Sequence, residues 1–140
     1  GDPEKFTLDD CATQRNLSDT GRVQPRRLGD WFRENRVDVT RVFSSQWCRC
    51  EESAELFGLG SVTPLPALNS FFQRTGRRGR QTDAMREWLV VNRSSGTLVF
   101  VNHQVNISAL TDQYTASGET KIARVQIDGR LDTVGSIETD

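Results

Sequence analysis

The segment Leu98-Val99-Phe100-Val101 runs without a polar interruption and then stops abruptly at Asn102-His103-Gln104. So short a run, rich in β-branched and aromatic residues, fits a strand rather than a helix. It has no polar position to turn toward water, so both of its faces must be covered. That is the condition of a strand in the middle of a parallel sheet, with helices above and below. A second run, Val37 to Phe43, ends in the same way at Ser44-Ser45 and enters helix-compatible sequence that carries Arg49. In open α/β sheets ligands bind beyond the carboxyl ends of the strands. A helix start beside a fixed cation is an oxyanion site. Arg49 and His103, the only histidine, are therefore candidate phosphate-binding residues, and His103, whose imidazole can also act in proton transfer, is the candidate catalytic residue.

The rest of the chain supplies the covering helices. Ser18 is a good N-cap, Asp19 suits the first turn, and Leu28, Trp31 and Phe32 recur at helical spacing, which predicts a helix over about 18–35. Pro25 lies inside it and removes a backbone donor, so packing must compensate. Ser45 is placed to cap a second helix, about 46–58, with Trp47, Cys50, Ala54 and Phe57 on one face and Gly58 and Gly60 beyond its end. Residues 61–79 read as a long connection containing Pro64, Pro66, Gly76 and Gly79, a length that is uncommon unless the loop covers a site or moves. A third helix, about 81–92, shows a stripe of Ala84, Met85, Trp88 and Leu89, and a fourth follows His103 over about 104–111. Ala123, Val125 and Ile127 alternate with polar residues before Asp128-Gly129, a two-residue hairpin turn into a final strand over about 130–137. The expected fold is a three-layer α/β/α sandwich with a mostly parallel sheet and an antiparallel C-terminal edge hairpin.

The 140 residues suit one domain with a sizeable core. A formal net charge of −1 gives no global attraction to nucleic acid or an anionic membrane. No apolar run approaches the ~20 residues that span a bilayer, and no signal peptide is visible. The expected partners thus exclude nucleic acid and membrane. Three cysteines, Cys11, Cys48 and Cys50, read as reduced, buried thiols. In an exported protein Cys11 could instead pair with Cys48 or Cys50. A zinc site with His103 lacks the usual ligand spacing, and Asp9-Asp10 fits no metal-binding loop. Arg74, Arg77, Arg78 and Arg80 read as a solvated basic loop. Compartment stays open between cytoplasmic and, for a processed precursor, periplasmic or exported.

Four motifs in order resemble the histidine phosphatase (phosphoglycerate mutase-like) superfamily. Ser44-Ser45-Gln46-Trp47-Cys48-Arg49, followed by Ser53-Ala54-Glu55, is similar to its "SS…R…TAE" segment. Leu17-Ser18-Asp19-Thr20-Gly21-Arg22-Val23-Gln24 resembles its "LT/S-x-x-G-x-x-Q" helix start. Val101-Asn102-His103 resembles its "V-x-H" strand end, and Ser117-Gly118-Glu119 its late "SGE" turn. The family transfers phosphoryl groups through a nucleophilic histidine in an Arg-His-Gly motif that ends its first strand. By motif position, the resemblance implies that His103 is the family's second histidine and Arg49 its additional phosphate-binding arginine. Arg15, just before the first helix, is a further candidate for the pocket.

The departures are equally specific. No Arg-His-Gly motif and no second histidine occur here, so residues 1–140 are expected to form a single histidine-phosphatase-like domain lacking the usual first strand. Around Leu68-Asn69-Ser70, where many family enzymes carry an acidic proton donor, stand amides and hydroxyls. Three functions are compatible with this pattern. One is a non-catalytic protein that keeps a partial phosphate pocket and binds phosphate or a phosphorylated small molecule without a cofactor. The second is an incomplete chain of an active phosphomonoester phosphatase acting through a phosphohistidine. The third is an interaction protein that forms homo-oligomers through unpaired sheet edges.

Overall fold

Ser18 opens the first helix, as its side chain accepts a hydrogen bond from the Gly21 amide at 3.0 Å. In the computed structural model, which describes residues 1–138, this helix is α1 (Asp19–Glu34). It is followed by β1 (Val39–Ser44), α2 (Cys48–Leu56), β2 (Val62–Pro64), α3 (Arg78–Val91), β3 (Thr97–Val101), α4 (Gln104–Thr111), β4 (Thr120–Val125) and β5 (Leu131–Ile137). Pro25 does lie within α1, and it is buried beside Leu28, Gly29 and Phe32, so apolar contact offsets its missing donor.

Period-two alternation then sorts the core into two layers. Val42 of β1 and Val99 of β3 face α1 and α2, where they meet Leu28, Phe32, Ala54 and Phe57. Phe43, Leu98 and Phe100 face the opposite way, toward Met85 and Leu89 of α3 and Leu110 of α4. On that side the rings of Phe43 and Phe100 stack at 5.4 Å, and Trp88 meets both edge-on. Helices thus cover both faces, as expected for an α/β/α sandwich.

The parallel sheet has the order β2-β1-β3, and β4 and β5 form a separate antiparallel ladder. The hairpin still packs into both layers, through Ile137 on one side and Val125 and Leu131 on the other. Its turn is a three-residue loop rather than the expected two. Gln126 N donates to Arg130 O at 2.8 Å, and Gly129 takes a left-handed φ of 88° that a side chain would disfavour. The Asp128 carboxylate accepts from the Arg130 amide and pins the loop.

Several expectations are corrected. β1, not β3, is central among the described strands; β3 lies at the edge of the parallel ladder. The stretch 61–79 contains a third parallel strand, because Val62 to Pro64 pair with Val42 to Ser44 of β1. Helix α2 starts later than expected, and no side chain caps it, since Ser45 is engaged elsewhere. In α3, Ala84 is exposed and Thr82 is buried. The cysteines are not three free thiols: Cys11 and Cys48 form a disulfide, and Cys50 is a buried thiol. Among the described residues no helix is long and apolar enough to cross a membrane.

Candidate functional site

Strand β1 ends at Ser44-Ser45 and strand β3 at Asn102-His103, side by side, because Ser44 pairs with Val101 across the ladder. Ser45 N donates to Val101 O at 2.9 Å and extends the match by one residue. That register brings Ser45 Oγ within 2.9 Å of His103 Nε2. The same oxygen accepts from Trp47 N at 3.1 Å, which explains why it does not cap α2. Ser45 is fully buried, and which of the hydroxyl and the imidazole donates in this contact follows the tautomer of the ring. His103 is further enclosed by the Trp47 ring, edge-on at 4.9 Å, and by Cys50 Sγ at 3.8 Å from Nε2. Burial, helped by the nearby Arg49 charge and opposed by Asp2, lowers its pKa to about 4. The ring is therefore neutral at physiological pH. Burial also pushes the Cys50 thiol up, so it stays protonated.

Arg49 is the second residue of α2 and does not pair with Glu52 or Glu55. Glu52 is taken by Arg22 at 2.8 Å. The Arg49 guanidinium instead holds Asp2, with Nη1 donating to Oδ1 at 2.8 Å. The Arg15 amide donates to the same oxygen at 3.0 Å, and Trp47 Nε1 donates to Oδ2 at 3.1 Å. Three donors from two distant parts of the chain thus converge on one carboxylate. Burial raises the Asp2 pKa, but these hydrogen bonds and the Arg49 charge outweigh it and hold the group below its ordinary value. Arg15 approaches the cluster through its backbone: its side chain is exposed, and its carbonyl accepts from Arg49 Nη1 at 3.3 Å.

The irregular arm over 1–17 is fixed against α2 by more than Asp2. The Cys11–Cys48 disulfide joins them covalently, and Gln14 Oε1 accepts from Cys48 N at 2.9 Å. Phe6 packs on Trp47 with ring centroids 5.5 Å apart. On the other side, Asn69 ties the loop after β2 to the site. It accepts from Gln46 N at 2.8 Å through Oδ1, and its carbonyl accepts from Asn106 Nδ2 at 2.8 Å and from Gln81 Nε2.

The structure thus places Arg49 and His103 at one end of the sheet, with the Arg15 backbone beside Arg49. Asp2, Gln14, Trp47 and Asn69 are the site residues that sequence reasoning missed. Two had a signal: Trp47 stands in the Ser44–Arg49 motif, and Asn69 in the Leu68-Asn69-Ser70 stretch. The motif residues Gln24 and Gly118 meet each other instead: Gln24 Nε2 donates to Gly118 O at 3.0 Å, where a Cβ would collide with the amide. Arg74, Arg77, Arg78 and Arg80 are exposed. Among the described residues no group of side chains could hold a metal, and Asp10 only caps the turn Cys11–Thr13. A groove at the hairpin tip, around Gln126 to Asp132, shares no residue with the cluster.

No family model and no curated protein matches this sequence. Solved structures do. The protein histidine phosphatase SixA, in complex with tungstate, superposes with a TM-score of 0.69 at 18% identity, covering 99% of this chain and 92% of that one. The product of open reading frame Rv3214 of Mycobacterium tuberculosis superposes with a TM-score of 0.62 at 18% identity, over 86% of this chain and 83% of that one. By this likeness the chain has the fold of a histidine phosphatase.

Proposed function

We propose that this chain binds phosphate or a phosphorylated small molecule at Arg49 and does not itself turn it over. The observation that carries this reading is the set of donors around one carboxylate. Arg49, the Trp47 indole and the Arg15 amide hold an anion at the carboxyl end of the sheet, beside His103. Guanidinium and N–H donors of this kind suit a phosphoryl group as well as a carboxylate. Tungstate, bound in SixA, is a tetrahedral oxyanion of the same class.

Turnover through a phosphohistidine needs a free imidazole nitrogen aimed at phosphorus. His103 is the only imidazole in these 140 residues, and its Nε2 faces a buried serine hydroxyl. It is suited to holding a phosphoryl oxygen or a proton once Ser45 releases it, not to attack. The test combines calorimetric titration with inorganic phosphate and an assay with p-nitrophenyl phosphate. Binding that disappears in Arg49→Ala, without turnover above background, is the expected result. Turnover that His103→Ala abolishes would refute the non-catalytic assignment, and phosphate binding that Arg49→Ala leaves intact would refute the pocket.

A second reading has its own observation. The sheet is split between β3 and the β4–β5 hairpin, although the hairpin packs into both layers of the core. Asn102 Oδ1, Thr115 Oγ1 and Thr133 Oγ1 are buried there or nearby in sequence, without a hydrogen-bond partner among the described residues. Buried polar atoms ordinarily find partners. On this reading a strand outside these residues joins the free edge of β3 and brings the nucleophilic histidine, making the whole an active phosphomonoester phosphatase. The reading frame upstream of Gly1 decides it: an Arg-His-Gly strand supports the reading, and a start codon immediately before Gly1 defeats it.

A further inference from the structure

We infer that the Asp2 carboxylate is an internal occupant of the oxyanion site, so that phosphate binds only by displacing it. The inference rests on the phosphate-binding reading above and adds to it how access to the pocket is controlled. A carboxylate presents two oxygens much as a phosphoryl group does, and both of these are used. Oδ1 takes the Arg49 guanidinium at 2.8 Å and the Arg15 amide at 3.0 Å, while Oδ2 takes the Trp47 indole at 3.1 Å. The Asp2 side chain keeps only 9% of its accessibility, against 29% for Arg49. An aspartate on an irregular arm is seldom so enclosed, because such segments normally leave their charges in water.

The arm cannot diffuse away when the carboxylate lets go. Its Cys11 is bonded to Cys48, the first residue of α2, one position from Arg49. A tethered group competes at an effective concentration that reaches the millimolar range for short linkers. Free phosphate must exceed that competition, and its apparent affinity falls by the fraction of molecules in which the site is open. The same arm supplies the Arg15 amide, which lies beyond the disulfide and can stay in place as a donor when Asp2 swings out. Displacement then exchanges one anion for another on an unchanged set of donors.

The experiment is a calorimetric titration of the 140-residue chain with inorganic phosphate, in wild type, Asp2→Ala, Asp2→Asn and Arg49→Ala. The Trp47 indole proton is followed by NMR without ligand. An open fraction of about one tenth predicts that Asp2→Ala binds phosphate about tenfold more tightly than wild type. Asp2→Asn, which loses the charge but keeps the shape, moves in the same direction. The indole proton shifts in Asp2→Ala as its acceptor is lost. Equal affinity in wild type and Asp2→Ala, with binding still lost in Arg49→Ala, overturns the inference and leaves the phosphate pocket standing. An unmoved indole resonance overturns it too, because the carboxylate is then not in the site. Failure of wild type and Asp2→Ala alike to bind overturns both the pocket and the competition.

Discussion

Gly29 shows how tightly α1 and α2 are set at single-residue resolution. A Cβ there would overlap the Phe57 carbonyl, a backbone group that also accepts from Arg33 Nη1 at 2.8 Å and so has little freedom to retreat. In a solvent-exposed helix, glycine to alanine stabilises by about 1 kcal/mol. Here the clash should win, as overpacking against rigid neighbours costs about 1–3 kcal/mol. Gly29→Ala is expected to lower the urea midpoint, and an unchanged or higher midpoint would show that the helices can separate cheaply. His103 makes a second prediction at this scale. Its folded pKa of about 4 lies below the ordinary 6.5, so between those values the unfolded chain binds the extra proton. Its contribution is complete above pH ~6.5 and declines as pH falls toward ~4, by on the order of 3 kcal/mol at most. Denaturation at several pH values, compared between wild type and His103→Gln, isolates this group. A difference that stays flat from pH 7.5 to 4.5 would mean that the imidazole is solvated.

At the scale of elements, the arm over 1–17 has only the one-turn 3-10 helix Cys11–Thr13 of its own and is tied to α2 by its attachments. The Cys11–Cys48 bond closes a separation of 37 residues, which in the chain-entropy account stabilises by about 3–4 kcal/mol. Replacing both cysteines with alanine should lower the unfolding free energy by about that much. It should also leave the arm amides unprotected in hydrogen exchange while α1 and α3 remain protected. Protection of the arm equal to wild type would mean that Phe6, Gln14 and Asp2 suffice. Elements differ in how far the sequence disclosed them, for the same physical reason. β3 and α4 have the bounds that their pattern predicts, since a continuous apolar run and the helix after His103 are local signals. β2 was hidden because three residues ending in proline make a strand only through pairing with β1. Ser45 has the chemistry of an N-cap, but a histidine 58 residues away claims its hydroxyl. Asp2 is farther beyond local reasoning: its partners Trp47 and Arg49 are 45 and 47 residues distant, and the arm has no periodicity to aim it. The apolar runs did disclose that Arg49 and His103 follow two strand ends, and those ends are adjacent in one ladder.

For the molecule as a whole, the open question is the outer edge of β3. Val101 O points to β1, where it accepts from Ser45 N. Backbone groups alternate sides along a strand, so Val99 and Val101 face β1, while Leu98 and Phe100 turn theirs outward. The β4–β5 ladder does not take them up, although its side chains fill both layers of the core. An edge of this kind is a template for another strand, whether from elsewhere in a longer chain or from a second copy. The amides of Leu98 and Phe100 should therefore exchange with solvent orders of magnitude faster than those of Val99 and Val101 in dilute monomer. Their protection should rise with protein concentration in parallel with the mass seen by light scattering. If Leu98 and Phe100 are as protected as their neighbours while scattering reports a monomer, the hairpin itself closes the edge. The slot for a further strand would then be absent, and with it the structural case for a nucleophile supplied from outside these residues. If instead protection appears only with dimer mass, the edge that could receive such a strand is also the surface on which the 140-residue chain assembles.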